Sequence, residues 1–415
     1  AYEITIGDWS SDVCSSDLFF SVVLLFCCSC VSNVQLEEDS TVYNSEFDAQ
    51  QEYASSDGRL CKVGSVYYYM PIITNRVLYY DDETGASGLL CGKADCTHED
   101  ASCNSYVNAY GSCIQAYQEK IYWIEQNTLY RMELDGSNHE GIGILERPDK
   151  SAVMEGVNPR FVIHRDMLYI STMKPTVIEG EAKTEVSIYQ YKMSNLEDAA
   201  EEVFRGYYPG EQDCHYRCRF EGNALYLMID YGSLENDGQT NGELYRYNIS
   251  EAVMEKLWTG NIEGNVYNMI AEEEGIHIAA INSRTDGDRR TGYYTRFYTY
   301  WLEKQQMKIS DVVEIPAEED FWGIGLEEGY FMMLPGLYAN TAKYRIYDWE
   351  GNLIREGEAP GKELICNGCD STGWLFQQES YSLEKREYVL IRIPFSSAEK
   401  EEVLVRYTVY NDENG

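Results

Sequence analysis

Residues 121–138 read IYWIEQNTLYRMELDGSN. Two short runs rich in Ile, Leu and aromatics are separated by a polar step, and no apolar face recurs at the 3.6-residue period of a helix. Such runs predict strands. The D-G-S-N that closes the second run, Asp135 to Asn138, is turn chemistry, because Gly and Asn tolerate the left-handed backbone that a tight turn requires.

The same unit recurs along the chain. Strands equivalent to IYWIE at 121 are VYYYM at 66, LYIST at 168, LYLMI at 225, IHIAA at 276, YFMML at 330 and WLFQQ at 374. The spacings are 55, 47, 57, 51, 54 and 44 residues. Each is followed after a turn by a second strand: VLYYDD at 77, LYRMELDGSN at 129, IYQYKM at 188, LYRYNI at 244, FYTYWL at 297, YRIYDW at 344 and VLIRIP at 389. Further apolar pieces such as VFRGY at 203, KLWTG at 256 and EVLVRY at 402 follow some of these. Three or four strands per unit of about 50 residues is the arithmetic of a propeller blade, and a ring of blades covers faces that no blade buries alone. The expectation is an all-β, seven-bladed β-propeller of mostly four-stranded antiparallel blades over residues 58–410. Six or eight blades remain open because the first unit, near 59–91, is irregular. A stack of β-sandwiches is the rival. The aromatic slot of the alignment (Tyr67, Tyr122, Tyr169, Tyr226, His277, Phe331 and Leu375) is expected to pack between blades. For His277 this means satisfied packing rather than ligation.

Composition narrows the function. The 415 residues carry 33 Lys plus Arg against 70 Asp plus Glu, a formal charge of −37, with 44% apolar residues and 36 Tyr. That charge repels phosphate and no basic block interrupts it, so a nucleic-acid partner is excluded. The apolar content is ample for a folded core.

The first thirty residues are read separately. Residues 7–18, GDWSSDVCSSDL, resemble the translation of a sequencing adapter, so residues 1–18 are treated as non-native and Trp9 and Cys14 carry no weight. Phe19 to Cys28, FFSVVLLFCC, is too short to span a bilayer and reads as the apolar part of a truncated signal peptide. It ends CCSC, which resembles a bacterial lipoprotein processing site with Cys30 as the lipidated residue and Cys28 as an alternative. Cleavage with release, and a retained anchor, are the other readings. Residues 31–57 are polar and acidic, as a tether is, and 411–415 form a polar tail. The expected location is extracytoplasmic, held on the outer face of the cell membrane through the lipid alone.

The repeated pattern of aromatic-rich strand, turn and LYRMELDGSN resembles the uncharacterised exported propeller domains of anaerobic Gram-positive gut bacteria, and more loosely YWTD propellers. The similarity spans roughly 60–410. It implies a secreted or lipid-anchored propeller and implies no enzyme.

The most unusual local feature is LLCGKADCTHEDASCN, which brings Cys91, Cys96, His98 and Cys103 within thirteen residues. Three thiolates and an imidazole suit a structural four-coordinate zinc. Its C-x4-C-x-H-x4-C spacing is not the common C-x2-C pair, so a disulfide within the cluster or reduced thiols are alternatives. Beyond Cys30 there are nine cysteines. Setting aside three as zinc ligands leaves six, at 61, 113, 214, 218, 366 and 369, which can form three disulfides. Cys61, Cys113, Cys218, Cys366 and Cys369 precede their aligned strands and are expected on the innermost strands. Cys61–Cys113 across two blades, Cys61–Cys366 across the ring closure, and local Cys214–Cys218 and Cys366–Cys369 pairs are all open.

No GxSxG, HExxH, phosphate-loop or dinucleotide motif occurs, and the catalytic residues of any activity are unassigned. His215, beside Cys214 and Cys218, is a candidate second metal ligand against a plain strand histidine. The loops at 235–243 and 282–294 carry carboxylate and amide groups suited to calcium. The expected role is recognition or scaffolding for a surface glycan, peptide or protein partner. An exported carbohydrate-active hydrolase or lyase using channel-mouth carboxylates is the alternative.

Overall fold

The computed structural model describes residues 43–410, apart from 54–57, 72–73, 110–112, 150–156, 211–213, 233–237, 287–288, 317–320, 327–329, 336–342, 359–363, 383–384 and 395–401. The adapter-like segment, the signal-like run with Cys28 and Cys30, the first part of the tether stretch and the tail lie outside these.

Among the described residues every regular element but one short turn, Gln51–Tyr53, is a strand. The strands form seven antiparallel sheets, each built from four consecutive strands in sequence order, and sheet 5 carries one extra. Sheet 1 spans 60–89, sheet 2 115–144, sheet 3 157–209, sheet 4 214–263, sheet 5 265–316, sheet 6 321–358 and sheet 7 364–410. The aligned aromatic-led segments are the second strand of each sheet, for example Val66–Tyr69, Lys120–Glu125 and Gly373–Tyr381. Their Tyr-rich followers are the third strands, such as Thr128–Glu133 and Gln239–Asn248. The pieces at 203, 256 and 402 are fourth strands.

Alternation decides which side chains meet. Successive residues of a strand point to opposite faces, so each sheet presents an apolar set to both neighbours. Sheets 1 and 2 share a cluster holding Tyr68 and Trp123, sheets 2 and 3 one holding Tyr122 and Leu168, and sheets 3 and 4 one holding Tyr169 and Leu227. Tyr226 and Ile278 join sheets 4 and 5, and Phe297 and Trp349 join sheets 5 and 6. Between sheets 6 and 7, Arg355 donates to Pro394 O and lies over the Trp374 ring. The aromatic slot is buried at Tyr67, Tyr122, Tyr169, Tyr226, His277 and Leu375; the Phe331 side chain lies outside the described residues.

Sheet 7 also packs on sheet 1. Tyr67 and Leu78 share a cluster with Leu375 and Leu404, and Arg392 reaches across to Asp82 at 2.6 Å while holding Glu402 of its own sheet at 3.0 Å. Tyr80 donates to Glu402, Lys62 pairs with Asp370 at 3.3 Å, and Tyr67 hydrogen-bonds Asp370. Among the described residues no strand is exchanged between these two sheets, since each uses only its own consecutive strands.

Residues 43–53, within the stretch read as a tether, are docked. The Gln50 side chain exchanges hydrogen bonds with the Lys62 backbone of sheet 1. Gln118 N–H of sheet 2 donates to Glu46 O. In sheet 3, Arg165 N–H donates to Phe47 O, Arg165 Nε to Asp48 at 2.8 Å, and Ala49 N–H donates to His164 Nδ1. Gln51 Nε2 donates to Glu221 of sheet 4 and Ala271 O of sheet 5, and Tyr53 OH to Asp370 of sheet 7. All these partners lie in or beside the turn between the first and second strands of their sheets. Eleven residues fully extended reach at most about 40 Å, so six equivalent turns converge within that span.

Candidate metal centre

The segment from Cys91 to Tyr106 connects sheets 1 and 2 and contains no regular strand. Its start is fixed by the Leu90 N–H donating to Val77 O, and its end by the Val77 N–H donating to Ser105 O and the Val107 N–H to Asn75 O. Arg76 donates to Asp100 O and lies over the Tyr106 ring, and Lys93 Nζ donates to Ser102 O. The far side rests on the 133–137 turn of sheet 2. There His139 shares its Nε2 with Asn104 O and Gly136 O. Gly136 has φ +80°, and a Cβ on it would sit 2.4 Å from Leu90 O, so only glycine lets this turn seat against the loop.

Within the segment, the Sγ atoms of Cys91, Cys96 and Cys103 and a ring nitrogen of His98 all lie within 4.8 Å of one another. Zinc–sulfur bonds of about 2.3 Å in a tetrahedron set thiolates roughly 3.8 Å apart, so the gathering matches the required size. His98 Nδ1 is 3.2 Å from Cys103 Sγ, and the Cys103 thiol meets Ser105 Oγ at 3.0 Å. The one-residue spacing between Cys96 and His98 is accommodated because His98 takes φ +61°, a left-handed conformation in which His is enriched among non-glycine residues. Burial acts to raise the Cys91 thiol. It is outweighed by hydrogen bonds from the Lys93 and Asn104 backbone and from the Cys103 and Cys96 thiols, which hold Cys91 below the ordinary thiol range. Cys96 moves the other way: the His98 backbone N–H lowers it, but burial together with Cys103 and Cys91 prevails. Backbone N–H groups aimed at sulfur are the outer support that a thiolate metal site uses. Four protein donors fill a tetrahedral shell and leave no position for a reacting water.

This is the only gathering of three or more such donors among the described residues. The acidic loops expected for calcium are largely strand: Gln239–Asn248, Gly275–Asp286 and Arg289–Trp301 take up most of them. Asn282 there donates to Gly238 O and Tyr294 OH, and Arg284 pairs with Glu314. His277 is a packing residue that stacks on Trp349 and meets Thr299 and Glu272.

The remaining cysteines correct part of the pairing scheme. Cys61, Cys218 and Cys369 do lie on first strands, as the backbone of Cys366 does, whereas Cys113 falls just before the first strand of sheet 2. Among the described residues Cys61, Cys214 and Cys218 are free thiols. A Cys214–Cys218 bridge is ruled out by geometry: both occupy the strand Cys214–Glu221, where four residues span about 13 Å. Cys61 and Cys113 are electrostatic neighbours, and the Cys61 thiol is pushed up by burial first and by Cys113 second. The Cys366 side chain lies outside the described residues, so its pairings with Cys61 and Cys369 do too.

His215 has a partner that its cysteine neighbours did not suggest. Its Nδ1 lies 3.2 Å from Asp230 Oδ2. The two residues face each other in the hairpin of the first and second strands of sheet 4, and burial raises the Asp230 carboxyl against the lowering pull of His215.

No family model and no curated protein matches the chain. Solved structures similar to it include the acylaminoacyl peptidase of Pyrococcus horikoshii, at 10% identity and TM-score 0.46 over 87% of this chain and 54% of that one. The chain thus spans about half the length of that protein. The β-propeller domain of the trilobed protease from Pyrococcus furiosus is similar at 12% identity and TM-score 0.46, over 89% and 98% of the two chains. The AfRom2 CNH domain is similar at 11% identity and TM-score 0.40, over 86% and 99%. No helix of the described residues is long and apolar enough to cross a membrane.

Proposed function

We propose that the seven sheets close into a seven-bladed propeller, anchored outside the cell membrane through a lipid on Cys30. It serves there as a recognition or scaffold module for a glycan, peptide or protein partner. A structural zinc at Cys91, Cys96, His98 and Cys103 ties the connection between the first two blades. What supports the ring is the docked 43–53 segment, whose contacts with the same turn of six sheets are natural only if those turns surround one centre. The segment covers that end of the ring, so the opposite end is the open one. The role of the zinc is structural because its ligand set is complete.

Metal content measured on the full chain, purified under reducing conditions without chelator, is expected to be one zinc per chain and to be lost in Cys96→Ser. Zinc-free wild-type protein overturns the metal assignment. Binding on glycan and peptide arrays, followed by Tyr and Trp fluorescence, is expected without turnover. Release of a cleaved product from a bound polysaccharide overturns the recognition role in favour of the hydrolase or lyase reading. Incorporation of labelled fatty acid, abolished by Cys30→Ser, tests the anchor.

A further inference from the structure

We infer that Cys91 and Cys96 are a redox-responsive pair within the metal centre, oxidised by a low-molecular-weight disulfide to a Cys91–Cys96 bond with release of the zinc. This is a regulation of the zinc site proposed above and rests on that reading.

The three sulfurs of the site are not equally placed. Cys103 is 2% exposed, and its thiol meets Ser105 Oγ at 3.0 Å and lies 3.2 Å from His98 Nδ1. Ser105 is itself fully buried, and its carbonyl accepts the Val77 N–H at 2.8 Å. Cys103 is therefore anchored where the loop returns to sheet 1. Cys91 and Cys96 are half-buried, and the four residues that join them, Gly92 to Asp95, are exposed. A reagent in solvent reaches these two sulfurs and is kept from the third.

The pair is also close enough to bond. All the donor atoms lie within 4.8 Å of one another, and a disulfide holds its sulfurs about 2.05 Å apart, a gap that a change of side-chain rotamer closes. The backbone between the two is already turned, since the Cys96 N–H donates to Lys93 O at 3.4 Å. Both ends of the loop are fastened without the metal, through Leu90 and Val107 N–H, Val77 N–H and the Arg76 guanidinium. The loop thus keeps its place on the sheets while its centre changes.

The exchange balances. One of the two thiolates attacks a sulfur of the oxidant R–S–S–R, forms a mixed disulfide and expels RS⁻; the other attacks the protein sulfur of that mixed disulfide, closes the Cys91–Cys96 bond and expels the second RS⁻. Two electrons pass from the cysteines to the oxidant. Both sulfurs lose the charge that bound the metal, and Zn²⁺ is left with Cys103 and His98, half of a tetrahedral shell. It departs into solvent. A dithiol reductant runs the exchange backwards and restores the four donors.

The test uses the full chain, purified reduced and carrying zinc, and titrated with oxidised glutathione. Zinc release is followed with a chromogenic chelator. Thiol pairing is mapped by mass spectrometry after cleavage at Lys93 and Glu99, which places Cys91, Cys96 and Cys103 on separate peptides. Loss of the one zinc per chain is expected in step with a Cys91–Cys96 link, and dithiothreitol with added zinc is expected to restore the metal in full. Cys61 and Cys214, which are buried, are expected to stay unmodified. Zinc retained under excess oxidised glutathione overturns the switch and leaves the metal reading standing. So does a link that involves Cys103, or a glutathione adduct that persists in place of the link. Reduced protein that carries no zinc overturns the metal reading and the switch with it.

Discussion

Acidification from pH 7 to pH 4.5 sets two buried groups under residues 43–53 against each other. His164 is held neutral: Ala49 N–H donates to its Nδ1 and its Nε2–H donates to Gly222 O. Burial drives it down from 6.5 to about 4, against the opposing pull of Asp48. The unfolded chain therefore takes up a proton between about 6.5 and 4 that the fold refuses, and stability falls as pH falls through that window. By linkage the loss is about 2 kcal/mol between pH 7 and 4.5. Glu221 has the opposite sign. Burial, then the charges of Asp48, Glu272 and Glu273, raise it from 4.5 to about 7, so the fold takes up a proton before the unfolded chain does and gains stability on acidification. Halved for its partial exposure to solvent, that gain is about 1 kcal/mol. The wild-type protein is thus expected to lose only about 1 kcal/mol from this pair, and Glu221→Gln about 2 kcal/mol. Urea unfolding of both proteins at pH 7 and pH 4.5 reads the difference directly. An equal or smaller acid sensitivity in Glu221→Gln refutes the assignment of opposed titrations.

Three further outcomes are expected. Arg392→Ala removes the buried guanidinium that joins Asp82 to sheet 7 and is expected to lower unfolding free energy by about 2–3 kcal/mol, since it strands a partly buried carboxylate; denaturant melts check this. Gly136→Ala places a Cβ against Leu90 O at positive φ and is expected to cost about 1–3 kcal/mol and to weaken zinc retention, measured by melting temperature and metal content. Chelation of the zinc is expected to lower the melting temperature and to expose the 91–103 segment to protease while the far-UV spectrum of the sheets is retained.

The second and third strands were readable in the sequence because they are the most apolar and most aromatic of each sheet, being covered on both faces. The first strands were not, since they mix in polar groups such as His215, Arg217 and Asn268 that break the apolar run. The Cys–His cluster was readable because all its donors lie within one short segment. The His215–Asp230 pair spans a hairpin, and it could have been found only by fixing the register that sets residue 215 opposite 230. Cys214–Cys218 looked like a local bridge until both were placed on one extended strand. The docking of residues 43–53 left no trace of periodicity, because its bonds go to six separated turns. Its polar composition suits a solvated tether equally well.

The same segment has a consequence for the order of assembly. Residues 43–53 leave the ribosome before any of the described strands does, yet their partners run from Lys62 to Asp370. They cannot take their place until the chain through Asp370 has been made and its sheets arranged. The earliest of the described segments to be synthesised is therefore among the last to be seated, and its protection from protease reports that all six of its partner sheets are in place.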